Sequence, residues 1–99
     1  MPTPSAAATL RSALTPSQLR AVRQVMQGFV DDDLAHGVLP AQQLYCHACA
    51  ERRSAPGFVL YEGGYQLCNA CATAYEVARM RGRVETAAQF VATCTRARR

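Results

Sequence analysis

Cys46-His47-Ala48-Cys49 and Cys68-Asn69-Ala70-Cys71 are two Cys-x-x-Cys pairs, separated by the 18 residues from Ala50 to Leu67. Thiolates three positions apart can turn back through a tight loop onto one metal ion. Two such pairs complete the tetrahedron that zinc takes when its role is structural. The spacing predicts a single structural zinc ion held by Cys46, Cys49, Cys68 and Cys71. The competing chemistries are two disulfides or a thioredoxin-type redox pair. Neither suits an odd total of five cysteines, nor an N-terminus, Met1 to Leu10, with no basic residue ahead of its Ala-rich run and Arg11 interrupting it early. Together these predict a reducing, cytoplasmic setting. Four cysteines leave no open coordination position, so an enzyme is not expected. The sequence also has no His-x-Glu deaminase pattern, nucleophile elbow or phosphate loop.

The rest of the chain must position that site. At 99 residues and 49% apolar composition it has room for one small domain with a thin core, the size at which a metal commonly supplies the missing stability. No run approaches the length of about 18 apolar residues that a membrane span needs, so no membrane partner is expected. All eleven basic residues are Arg, which suits phosphate recognition or simply reflects a GC-rich gene. Up to Tyr45 the charges cancel, and from Cys46 onward eight Arg face four Glu, giving the net +4. Four thiolates on one divalent ion would lower this to about +2.

Residues 1–14, rich in Pro, Ser, Thr and Ala, predict a flexible tail. Thr15-Pro16-Ser17-Gln18 is a capping box with Pro at the first helical position. Leu19, Val22, Val25, Met26, Phe29 and Val30 follow at helical spacing, so residues 15–37 predict an N-terminal amphipathic helix. Asp31-Asp32-Asp33 would sit at the negative end of its dipole, which predicts either a break near Val30 with one Asp capping a further turn or an acidic tip kept for a basic or magnesium-bearing partner. His36 is placed to meet free carbonyls. Residues 41–81 predict the finger itself: a lead-in to the first knuckle, a polar loop from Glu51 to Pro56, a hairpin of Phe58-Val59-Leu60-Tyr61 and Tyr65-Gln66-Leu67 about Gly63-Gly64, and a helix through Arg81. Residues 82–95 predict a C-terminal helix, and 96–99 a loose basic tail. The fold class is α+β, and the order knuckle, hairpin, knuckle, helix is a treble-clef layout. Ala50 stands after the first knuckle, where glycine often supplies a left-handed turn, and predicts some strain there. His47, inside the knuckle, would compete as a ligand or point to solvent. Cys94 reads as a small buried hydrophobe.

Leu67-Cys68-Asn69-Ala70-Cys71 followed by Tyr75 resembles the second half of GATA-type zinc fingers, and Cys46 to Tyr75 has nearly their spacing. The resemblance implies a treble clef with the four cysteines as ligands and a module that binds DNA in the major groove. The sequence departs from that pattern where Phe58-Val59-Leu60-Tyr61-Glu62 replaces a Trp-Arg-Arg stretch and where Ala72 replaces a Gly. Gly63-Gly64-Tyr65-Gln66-Leu67-Cys68 is similar to the approach to the third Cys in the zinc-binding domain of the ClpX unfoldase, which implies dimerisation and adaptor binding. A helix either side of a four-cysteine finger, with Asp31 to Asp33 at a helical tip, resembles the DksA/TraR family, which acts on RNA polymerase.

Two function classes follow. A nucleic-acid-binding regulator of transcription would make its phosphate contacts through Arg52, Arg53, Arg79, Arg83, Arg98 and Arg99. A protein-interaction module would present Phe58, Leu60, Tyr61 and Tyr65 to a protein partner or to a second copy in a homodimer. The distribution of arginines favours the first, and the apolar hairpin the second.

Overall fold

The structure, a computed structural model, describes residues 14–98, so Arg99 and nearly all of the expected N-terminal tail lie outside the described residues. Helix α1 spans Pro16–Ala35 and opens on the expected capping box: Thr15 Oγ1 accepts from Gln18 N, and Gln18 Oε1 accepts from Thr15 N. Strands β1 (Gln43–Tyr45) and β2 (Arg52–Ser54) form one antiparallel hairpin, and β3 (Val59–Tyr61) and β4 (Tyr65–Leu67) a second. Helix α2 (Asn69–Met80) follows directly from β4, and α3 (Ala87–Ala97) closes the described residues. The chain is thus a small α+β fold of three helices and two short hairpins among the described residues.

Three elements differ from expectation. Arg52–Ser54 is a strand, not loop: Tyr45 pairs with Arg52 and Gln43 with Ser54. Three exposed residues carry no period-2 signal, and the ladder is held instead by the knuckle, where Cys46 N donates to Glu51 O. Helix α1 does not break near Val30. Asp31 accepts from Gln27 Nε2, Asp33 from Gly57 N, and His36 Nδ1 meets Asp32 O at 2.7 Å, so the polar contacts offset the unfavourable dipole end. The hydrogen bond to the Asp32 carbonyl, and then the Asp32 charge, raise the pKa of His36 above its ordinary value. The loose basic tail is also corrected as far as Arg98. Helix α3 runs to Ala97, started by a second capping box at Thr86 and Gln89, and Arg98 caps its end.

The core is small. Met26, Ala48, Leu67, Ala72, Tyr75 and Ala87 pack around buried Cys46 and Cys68, and Val84, Phe90, Val91 and Cys94 cover it from the C-terminal side. Tyr75 is the hub between layers, edge-on to Tyr61 at 4.8 Å and tilted against Phe90 at 5.5 Å. Helix α1 is latched across the start of α2 by Asn69, whose Nδ2 donates to Met26 O at 2.9 Å and Gly57 O at 3.1 Å.

Candidate metal centre

The first pair of ligands is set by a turn of backbone. Strand β1 delivers Cys46, Ala50 N donates to Cys46 O at 2.9 Å, and Cys49 N lies 3.5 Å from Cys46 Sγ. N–H groups aimed at sulfur favour its thiolate form. Closing this turn puts Ala50 in the left-handed region at φ +59°, the one non-glycine residue there among the described residues. That conformation costs an L-residue about 1–2 kcal/mol. Because glycine in turn loses more chain entropy, Ala50→Gly is expected to stabilise the metal-bound protein by about 0.5–1 kcal/mol, read as a rise in Tm of a few degrees. An unchanged or lower Tm would deny the strain.

The second pair sits at a helix start. Leu67, fully buried at 0% exposure, ends β4, and Cys68 is the N-cap of α2 with no side-chain cap. Ala72 N donates to Cys68 O at 2.8 Å, which holds Cys71 within the first turn. The backbone N–H groups and dipole of a helix N-terminus favour anionic sulfur.

The four sulfurs all lie within 4.8 Å of one another, and all are free thiols. Metal–sulfur bonds of about 2.3 Å at tetrahedral angles place sulfurs about 3.8 Å apart, so the cluster fits one ion with little movement. Its electrostatics point the same way. Burial pushes Cys46 up, but hydrogen bonds from the backbone N–H groups of Cys49, Cys68 and Ala48 outweigh it and bring the thiol down to about 7. Burial and the neighbouring sulfurs push Cys68 and Cys71 up. One thiolate forms readily and its neighbours resist a second like charge, a conflict that a divalent cation among them removes.

Contacts outside the ligands lock the site. His47 is neither ligand nor solvent-facing: its Nδ1 accepts from Gln66 N at 2.9 Å, while His47 N donates to Gln66 O at 3.0 Å. This ties the first knuckle to β4, with the ring edge-on to Tyr45 and Tyr65. Arg98 donates to Ala48 O, fastening the end of α3 to the same knuckle. The start signal of α3, a threonine three residues before Gln89, stands in the sequence, whereas nothing local marks His47 or Arg98 for these roles.

Comparison with family models, curated proteins and solved structures returns no match. The chemistry of the site therefore rests on its own geometry: a closed set of four soft donors suited to a structural metal ion.

Among the described residues, the other expected site residues do not converge. Arg53 is paired with Glu51 and lies beside Cys49, whose sulfur and then the Glu51 charge raise its pKa. Arg79 pairs with Glu76 at 2.8 Å and covers the Tyr75 ring, Arg52 meets Gln43 O at 3.4 Å, and Arg98 is committed to Ala48. Arg83 is exposed at the turn after α2. On the hairpin only Leu60 stands free, at 72% exposure. Phe58, Tyr61 and Tyr65 are half-buried against the core, with Tyr61 Oη donating to Glu76 at 3.1 Å. Burial, and then the Glu76 charge, push that phenol up. A groove of apolar surface lies between α1 and α2, where Val25 is 60%, Phe29 44% and Met80 42% exposed, while Leu34, Leu39, Leu44 and Tyr45 are exposed outside it.

Proposed function

We propose that this chain is a zinc-stapled protein-interaction module with a treble-clef layout, in which the ion supplies stability and the face shared by α1 and α2 supplies the contact. Zinc is the ion that the donor set suits best: it binds four thiolates tetrahedrally, brings no redox chemistry and leaves no open position. The observation that carries the interaction reading is the exposed apolar face of Val25, Phe29 and Met80, in a chain this short of core. Regulation of transcription through DNA contact receives less support, because Arg53, Arg79 and Arg98 already have partners within the chain.

Titrating the zinc-loaded protein with fluorescent duplex DNA at several salt concentrations separates the two. A protein that neutralises about six phosphates shows log affinity falling against log salt with a slope of about −5. The expected result here is weak binding with a slope no steeper than about −2, little changed by Arg79→Ala with Arg83→Ala. Tight binding with a steep slope that this double variant flattens would replace the interaction module with a nucleic-acid-binding one.

A further inference from the structure

Helix α1 carries a face that the fold leaves uncovered and that is complementary to itself. At about 100° per residue, Gln18, Ala21, Val22, Val25, Gly28, Phe29 and Asp32 fall within about 60° either side of Val25. All but Val22 are exposed. Rotating the helix end over end about Val25 exchanges residues equally spaced on either side of it. Phe29 then lies over Ala21, Val22 over Gly28, and Gln18 over Asp32. Each large side chain meets a small one, and each amide meets a carboxylate.

Gly28 is the independent sign of a close approach. It sits inside α1, where glycine weakens a helix relative to alanine. Nothing among the described residues requires the missing methyl group, because a Cβ built there has none of their atoms within 4 Å. A second helix crossing at that point would require it. The polar ends are also ready to pair. Gln18 Oε1 is occupied by Thr15 N, which leaves its Nε2 to donate, and the Asp32 side chain, whose Oδ1 lies 3.5 Å from His36 Nδ1, is still 71% exposed.

We propose that the occupant of this face is a second copy of the chain, docked through α1 in an antiparallel, twofold-symmetric pair centred on Val25. This rests on the interaction reading and names its partner. A twofold interface is isologous, so one patch must complement itself, and that is the pattern α1 presents. The contact is small, adding Met80 at its margin to the two α1 faces, and is expected to be concentration-dependent rather than obligate.

Sedimentation equilibrium of the zinc-loaded full chain, from about 1 μM to about 1 mM, spans the affinities such a contact can have. The expected result is a monomer–dimer equilibrium. Val25→Glu, which sets two carboxylates on the twofold axis, is expected to give a monomer whose circular dichroism and metal content are unchanged. Gly28→Ala is expected to raise the Tm by about 4 °C or more while weakening the dimer about tenfold or more, since the same methyl group helps the helix and obstructs the crossing. Gln18→Glu is expected to weaken the dimer by setting like charges against Asp32, and Gln18→Glu with Asp32→Asn to restore it. A monomer at every concentration, a dimer indifferent to Val25→Glu, or a Gly28→Ala dimer as tight as the parent would each overturn the proposal. None of these outcomes bears on the DNA titration, which tests the interaction reading itself.

Discussion

Stripping a bound ion with a strong chelator is expected to unfold the segment from Gln43 to Ala97, collapsing the helical circular dichroism of α2 and α3 and abolishing the cooperative melt. The magnitude comes from comparing two quantities. A structural zinc contributes an apparent ~10–16 kcal/mol in finger peptides, while a whole domain is stable by only about 5–15 kcal/mol. The core offers little to offset the loss, because Leu67 and Cys46 are its largest fully buried side chains and Cys46 is itself a ligand. Without the cation, the four sulfurs would confront one another in a partly buried cluster where Cys68 and Cys71 already resist ionisation. Replacing a ligand, as in Cys68→Ser, is expected to reproduce the collapse, whereas Cys94→Ser should keep one ion per chain and change the Tm only slightly. Native mass spectrometry with parallel circular dichroism measures both. A metal-free chain with an intact spectrum and a cooperative melt would show that the fold does not depend on the site.

Gly57→Ala is the second large effect, and it acts on the joint between α1 and the metal centre. Gly57 has φ +87°, and a Cβ there would lie 2.5 Å from Val30 Cγ2 and 2.8 Å from Asn69 Nδ2. Gly57 N donates to Asp33 Oδ2 at 2.8 Å and Gly57 O accepts from Asn69, so the methyl group would part the residues that hold α1 down. Left-handed backbone costs alanine about 1–2 kcal/mol, and losing part-buried polar contacts costs about 1–3 kcal/mol more. The expected total of about 2–5 kcal/mol lowers the Tm by about 10 °C or more. Asn69 stands between Cys68 and Cys71, but the atoms nearest the new methyl group belong to Val30 and Asn69 and not to a cysteine, so the ion is expected to stay bound, as mass spectrometry would report. A melt like that of the parent protein would mean that the latch contributes nothing. Loss of the ion together with α1 would mean that the helix and the metal centre form one cooperative unit.

Elements with local chemistry are legible in the sequence alone. The capping box at Thr15 and Gln18, the apolar period of α1, the hairpin about Gly63-Gly64 and the left-handed turn at Ala50 each depend on residues a few positions apart. Strand β2 is not legible in this way, because Arg52–Ser54 is exposed on both faces and owes its pairing to the knuckle that precedes it. The continuity of α1 through Asp31, Asp32 and Asp33 escapes a local reading for a related reason. Local rules weigh only the dipole, whereas the carboxylate of Asp33 is satisfied by an amide 24 residues away.

By itself the sequence determined the candidate ligand set, since the spacing of Cys46, Cys49, Cys68 and Cys71, whose sulfurs the fold brings together, is a property of short chain segments and of the coordination preferences of a metal. Only the tertiary structure decided what surrounds that set. Asn69 reaches Met26 over 43 positions, Arg98 reaches Ala48 over 50, and His47 meets Gln66 over 19. Such pairings leave no mark in a local pattern, because a donor becomes an anchor only when folding brings an acceptor within hydrogen-bond distance. The same holds for the open face of α1: the periodicity made it apolar, but which part of that stripe α2 covers, and which it leaves exposed, is set by how the two helices cross.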